Sequence, residues 1–197
     1  FCDRTCLPEA ASAALMNQSS PRPILISYFA YRDAPLEQLL AILADANRSI
    51  ILLAPVADFN ASKPARERGG VQIHEIPFMS QPDYDRLLML CDLNFVRGED
   101  SFVRAQLAGK PMIWDIYKQE NNAHMPKLQA FLRQYCRSFR EDTRETLAKC
   151  FEIWNERDLE DTVTWLSMLD QLDAINNGAA SWAEYLMESP SLTQRLL

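Results

Sequence analysis

From Ile24 onward the chain alternates between two hydrophobic rhythms, and few folds satisfy both. Ile24-Leu25-Ile26-Ser27-Tyr28-Phe29 and Ser49-Ile50-Ile51-Leu52-Leu53-Ala54 are short apolar runs rich in β-branched residues, the second stopped by Pro55. Val71 to Ile76 alternates like a strand and ends before Pro77, and Leu93-Asn94-Phe95-Val96 and Pro111 to Tyr117 complete the set. Between them lie helical patterns. Pro35 opens one through Leu39, Leu40, Ile42 and Leu43, Gln81 to Cys91 forms another, and Ser101 to Ala108 a third that ends at Gly109. Strands alternating with helices predict a parallel sheet covered on both faces, an α/β Rossmann-like layer. The polar, glycine-containing stretch from Asn60 to Gly70 reads as a loop.

From Met125 the strand signals stop. Leu128, Phe131, Leu132 and Tyr135 predict one helix face, and Leu147, Cys150, Phe151 and Trp154 a second. Val163, Leu166, Leu169 and Leu172 predict a third. Residues 1–23 show no sustained period and end in Asn-Gln-Ser-Ser-Pro-Arg-Pro, which reads as a linker with a short helix around Glu9 to Met16. The expected division is therefore a linker over 1–23 and one Rossmann-like domain with a helical extension over 24–197.

A formal charge of −7 argues against a protein whose affinity comes from neutralising nucleic-acid backbones. A small phosphorylated ligand stays open, since one cation and a helix terminus can hold it. The longest apolar runs are too short to span a bilayer. Cys2, Cys6, Cys91, Cys136 and Cys150 contain no CxxC pair, and His74 and His124 fall at no zinc-ligand spacing. The expectation is reduced, buried thiols in a cytoplasmic protein without a metal. The chain begins at Phe1 rather than Met, which leaves its true start open.

The most informative segment is Asp92-Leu-Asn-Phe-Val-Arg97-Gly98-Glu99-Asp100-Ser101-Phe-Val-Arg. A strand ends, a glycine turns the chain, and a helix begins near Ser101. Ligands of open α/β sheets sit outside the carboxyl ends of strands, where helix amino termini expose unpaired N–H groups. Arg97 adds a fork of donors suited to phosphate. The plainer alternative has Asp100 or Ser101 capping the helix and Arg97 in a surface ion pair. Glu99 and Asp100 are adjacent, so their side chains diverge and cannot flank one glycosidic bond. Phe29 and Tyr31 lie two apart at a strand end and can stack a base, although core packing is the commoner use of such a pair. Phe78, Gln81 and Tyr84 follow another strand and can form the opposite wall. Asp83-Tyr84-Asp85 matches a DxD metal motif in form, but acids at a helix start are favoured by the dipole alone.

The run Leu93-Asn-Phe-Val-Arg-Gly-Glu-Asp-Ser-Phe-Val-Arg-Ala-Gln, with Ala108-Gly-Lys-Pro and Trp114-Asp-Ile-Tyr, resembles the protein-arginine rhamnosyltransferases that modify elongation factor P, the EarP family. Ser27-Tyr-Phe-Ala-Tyr, Ile76-Pro-Phe-Met-Ser-Gln and His124-Met-Pro-Lys-Leu-Gln-Ala-Phe-Leu are similar to that family's segments too. The resemblance implies the donor-binding half of a GT-B glycosyltransferase that inverts the anomeric centre. Its donor would be dTDP-β-L-rhamnose and its acceptor an arginine of elongation factor P, with no metal or other cofactor. Phe29, Tyr31, Phe78 and Gln81 would surround the nucleotide, as would Tyr84 where relatives carry phenylalanine. Arg97, Asp100 and Ser101 would hold the diphosphate region, and Glu99 would be the carboxylate near the reacting centre. The family's amino-terminal aspartates have no counterpart upstream of Pro23, so the expectation is a chain that holds the donor site and is inactive alone. A non-catalytic nucleotide-binding module using the same cleft is the alternative. A third reading, a mainly structural protein whose helical tail mediates assembly, gives the Arg-Gly-Glu-Asp-Ser turn no purpose. In GT-B enzymes the last helix crosses back onto the amino-terminal domain, and Trp182, Tyr185 and Leu186 would form such a docking face or else an intramolecular core.

Overall fold

A computed structural model describes residues 22–55 and 67–189. Its sheet contains β1 (Ile24–Tyr28), β2 (Ile50–Pro55), β3 (Glu67–Arg68), β4 (Val71–Ile76), β5 (Leu93–Arg97) and β6 (Met112–Asp115). The strand order is β3-β4-β2-β1-β5-β6. All neighbours are parallel except β3 and β4, with Ile24 opposite Ile50, Ile26 opposite Leu93 and Phe95 opposite Ile113. Every side chain of β1 and β2 is buried, which is why both read as unbroken apolar runs. Each such Leu or Ile contributes about 1.5–3 kcal/mol when fully buried.

The helices α1 (Leu36–Asp45), α2 (Gln81–Leu90) and α3 (Asp100–Ala108) are the crossovers between strands. The path moves one way from β1 through β2 to β4, then returns past β1 to β5 and β6. Right-handed crossovers in opposite directions place α1 on one face and α2 with α3 on the other. The reversal falls between β1 and β5. Beyond β6 come α4 (His124–Tyr135), α5 (Glu141–Glu156), α6 (Thr162–Asp170) and α7 (Leu172–Glu188). Helix α6 packs on α1 and α5, while α7 packs on α3. Gly109 closes α3 in the left-handed conformation (φ 64), and a Cβ there would come within 3.3 Å of Ala183 on α7.

Several expectations change. Pro55 is the last paired residue of β2, opposite Ile76, because a strand's final position gives up only one donor. The Asn60–Gly70 loop lies partly outside the described residues, and its end is a hairpin. Glu67 and Arg68 pair with Gln72 and Val71 around Gly69-Gly70. Gly69 has φ 59, and a Cβ on Gly70 would stand 2.7 Å from the Arg48 carbonyl oxygen, so the turn needs both glycines. The last strand is shorter than Pro111–Tyr117, since Tyr117 has already left the sheet and is 68% exposed. The proposed third helix face is wrong. Gln171 ends α6, Leu172 starts α7, and the buried face of α6 is Trp165, Met168 and Leu169. Val163 is 75% exposed because the larger Trp165 takes the core position. The linker and its short helix at Glu9–Met16 lie outside the described residues.

Trp182 is buried and donates from Nε1 to Gln106 Oε1 at 3.0 Å, and Leu186 packs against the core. Of that trio only Tyr185 is exposed, which favours the intramolecular use of this face. Cys91, Cys136 and Cys150 are buried, and burial pushes the Cys136 thiol up to about 12. Among the described residues, no helix is long and apolar enough to cross a membrane.

Candidate functional site

The carboxyl ends of β1 and β5 meet at the reversal of strand order, the place where open α/β sheets hold ligands. β5 delivers Arg97, Gly98 turns with φ 67, and α3 starts at Asp100. Glu99 occupies the capping position of α3, yet no side chain caps the helix. Neither Asp100 nor Ser101 plays the capping part the plainer reading gave it. By contrast, the Ser80 side chain accepts the Asp83 N–H at the start of α2. The start of α3 thus presents amides and the positive end of a helix dipole that neither Glu99 nor Asp100 caps with its side chain.

The turn is braced from beneath. Trp114 Nε1 donates to the Gly98 carbonyl at 2.9 Å, and the Phe102 ring stacks on Trp114 with centroids 3.8 Å apart. Arg97 Nη1 donates to the Ala30 carbonyl at 3.0 Å, and its guanidinium lies 5.5 Å from the centre of the Tyr31 ring. Burial, then the neighbouring Asp115, pushes the Tyr31 phenol up, while Arg97 opposes the rise. A cleft of about 520 Å³ opens beside them, lined by Tyr31, Arg97, Tyr117 and Arg157 among others.

The other expected residues fall on the same rim. Phe29 is half-buried and meets Tyr84 edge-on at 4.8 Å. Tyr84 itself is buried, and burial drives its phenol up to about 12. Ser101 is near enough to oppose that rise, but the pair falls short of a well-aligned hydrogen bond. Phe78 is 80% exposed, an unusual position for so large a ring, and Gln81 is exposed at the start of α2. Asp100 points back along its own helix to Arg104 at 2.9 Å. Glu99 is exposed and pairs with Lys127 of α4 at 2.5 Å, and Lys127 lies 5.4 Å over the Trp114 ring. The DxD carboxylates diverge: Asp83 takes Ser80 and Arg86, and Asp85 takes Arg104.

Four residues escaped the sequence reading. Asp115, fully buried at the end of β6, lies 2.7 Å from Arg157 and accepts the Tyr31 N–H at 2.7 Å. Burial pushes its carboxyl above the usual range while Arg157 opposes that. A charge closing the apolar run Met112-Ile-Trp was a visible signal for Asp115. Tyr117 and Lys127 lie in segments that carry the family resemblance without a local signal of a site, and Arg157 had none, because it arrives from a distant part of the chain.

Comparison with known proteins decides the family. The model of the elongation factor P (EF-P) rhamnosyltransferase EarP matches residues 5–197. The chain belongs to the EarP family. It is 40% identical over 185 residues to the protein-arginine rhamnosyltransferase of Pseudomonas aeruginosa, covering 88% of this chain and 49% of that protein. The Pseudomonas putida relative is 37% identical over 189 residues, covering 90% and 50%. The chain thus spans about half the length of these EarP relatives. A solved structure concerned with EarP-mediated arginine glycosylation of translation elongation factor EF-P superposes with a TM-score of 0.76 at 34% identity, over 95% of this chain and 63% of that one. The spinosyn forosaminyltransferase SpnP shares the fold at 14% identity, with a TM-score of 0.51 over 96% and 44%. The α/β layer of this EarP chain is therefore Rossmann-like and shares its fold with part of both solved structures.

Proposed function

We propose that this chain binds dTDP-β-L-rhamnose and contributes the donor half of an enzyme transferring L-rhamnose to an arginine of elongation factor P. The observation that carries the reading is the uncapped start of α3 directly after Arg97, at the reversal of strand order. Such a turn offers amides, a helix dipole and a bidentate cation to a diphosphate. In this reading Phe29, supported by the buried Tyr84, and the exposed Phe78 and Gln81 receive the nucleoside, and Tyr31 lies beside the Arg97 grip. Asp100 and Ser101 border the diphosphate at the first turn of α3.

The transfer is a single in-line displacement. A nitrogen of the acceptor guanidinium attacks the anomeric carbon and gives up a proton to a carboxylate or to water, the bond to the diphosphate oxygen breaks, and dTDP leaves while the sugar's anomeric configuration inverts. Arg97 and the α3 amides stabilise charge on the leaving diphosphate, which gives the reaction its electrostatic help without a metal. Glu99 is the carboxylate available to position the incoming guanidinium, and Lys127 holds the cation seat beside it until then. A guanidinium is charged and a poor nucleophile, so one exposed carboxylate does not suffice to activate it. These 197 residues alone are accordingly expected to bind the nucleotide without transferring rhamnose.

Isothermal titration with dTDP tests the reading. Arg97→Ala should weaken binding about 10- to 100-fold, the scale of lost charge-assisted hydrogen bonds. Unchanged affinity would remove the phosphate role. In the full-length enzyme, Glu99→Ala should lower kcat more than it raises the donor KM.

A further inference from the structure

Asp115 ends an edge strand, and its side chain is wholly buried. A carboxylate taken from water persists only where cations and N–H groups replace its hydration. Here the replacement comes from two remote segments. Oδ2 accepts the Tyr31 amide at 2.7 Å, and Oδ1 faces Arg157 Nη1 at 2.7 Å as an ion pair rather than an aligned hydrogen bond. Arg157 follows the last turn of α5 with φ 66, a conformation uncommon for so large a residue, and only 11% of its side chain is exposed. The left-handed conformation closes the helix, with the Arg157 N–H bonded to the Ile153 and Trp154 carbonyls, and from that position the guanidinium reaches Asp115. Beyond Asp115 it extends to Asp33 at 3.4 Å, in the same turn as Tyr31.

The pair therefore joins the end of α5, the end of β6 and the turn after β1, passing over the end of β5, which carries Arg97. The Tyr31 ring lies against that arginine, and Arg97 in turn bonds the Ala30 carbonyl. Arg97 is held by the very turn that Asp115 fixes.

We infer that Asp115 and Arg157 are positioning residues for donor binding. Without touching the diphosphate, they lock the Tyr31 amide and thereby set the guanidinium of Arg97 toward the cleft. This rests on the reading that Arg97 binds the donor. A general structural role would stabilise the domain without a selective effect on nucleotide affinity.

The double variant Asp115→Asn/Arg157→Gln removes both charges; Asn keeps the shape of the aspartate, and Gln puts a shorter, neutral polar group in place of the guanidinium. With dTDP as probe, at a temperature where circular dichroism shows the variant folded, titration should give affinity about 10-fold weaker, the equivalent of one lost hydrogen bond in the grip. Exchange of the Tyr31 amide, followed by NMR, should accelerate, while the Phe29 amide, bonded to the Phe95 carbonyl, keeps its rate. Asn155→Ala serves as the matched control. Asn155 is buried and ties α5 to β6 through Trp114 O and Ile116 N, but does not reach Tyr31. Equal loss of affinity in that control, or full affinity in a folded double variant, overturns the proposal. If the double variant does not fold, Asp33→Asn at the exposed end of the network replaces it: faster Tyr31 exchange with weaker dTDP binding supports the proposal, and no change overturns it. Wild-type protein that fails to bind dTDP would sink the donor reading itself, while the exchange measurement still decides whether the pair fixes Tyr31.

Discussion

At each end of the sheet an aspartate holds β1 by the same pair of contacts. At the amino end, Asp92 accepts the Leu25 N–H at 2.8 Å and pairs with Arg22 at 2.8 Å. At the carboxyl end, Asp115 accepts the Tyr31 N–H and pairs with Arg157, both at 2.7 Å. Both aspartates take one backbone N–H and one arginine, but only Arg22 makes aligned hydrogen bonds, and the surroundings differ more. Side-chain exposure is 25% and 59% for the first pair, and 0% and 11% for the second. Water can replace Arg22 but not Arg157. The same motif is thus a modest fastening at one end and a strict requirement at the other, and the strict one lies under the candidate ligand cleft.

The comparison is easiest to break at its costly end. Asp115→Ala strands the Arg157 charge and the Tyr31 amide, and should destabilise the protein by about 3–5 kcal/mol in urea unfolding. Asp92→Ala loses one backbone hydrogen bond and a screened ion pair, so its expected cost is about 1–2 kcal/mol. Equal costs would mean that burial is not what separates the two ends. A third aspartate sharpens the scale. Asp161 accepts the Thr164 N–H at 3.1 Å at the start of α6 and stays near the surface. The Thr164 hydroxyl and then its amide hold the Asp161 carboxyl below its ordinary value. Its contribution is therefore present above about pH 4 and lost as pH falls through that lowered value. Wild type should lose under about 1 kcal/mol more than Asp161→Asn on acidification from pH 5 to pH 2. Asp115 has the opposite sign: burial raises its carboxyl although Arg157 opposes the rise, so ionising it takes stability away as pH rises through the raised value.

The same contrast explains what could be read in advance. The runs Ile24–Tyr28 and Ile50–Pro55 announce buried parallel strands because every side chain there obeys one rule. The Arg97-Gly98 turn was legible because glycine, strand end and helix start are contiguous. Tyr84 was expected on the wall opposite Phe29, but it is buried and packs edge-on against that ring. Val163 misled because helical spacing continues on paper across Gln171, where the backbone turns. Arg157 was invisible for a deeper reason. Its partner Asp33 lies 124 positions away, and no local pattern encodes a pairing at that distance.

The placement of Asn155 and Arg157 bears on where such a protein can be cut. A fragment designed by counting strands and crossovers would stop soon after Tyr117 and look complete. It would lack the counter-ion beneath Tyr31, the amide that ties down Trp114 and Ile116, and the α7 face that receives Gly109. A fragment that keeps this loop supported runs through α7, because the last helices supply the underside of a loop encoded near the beginning.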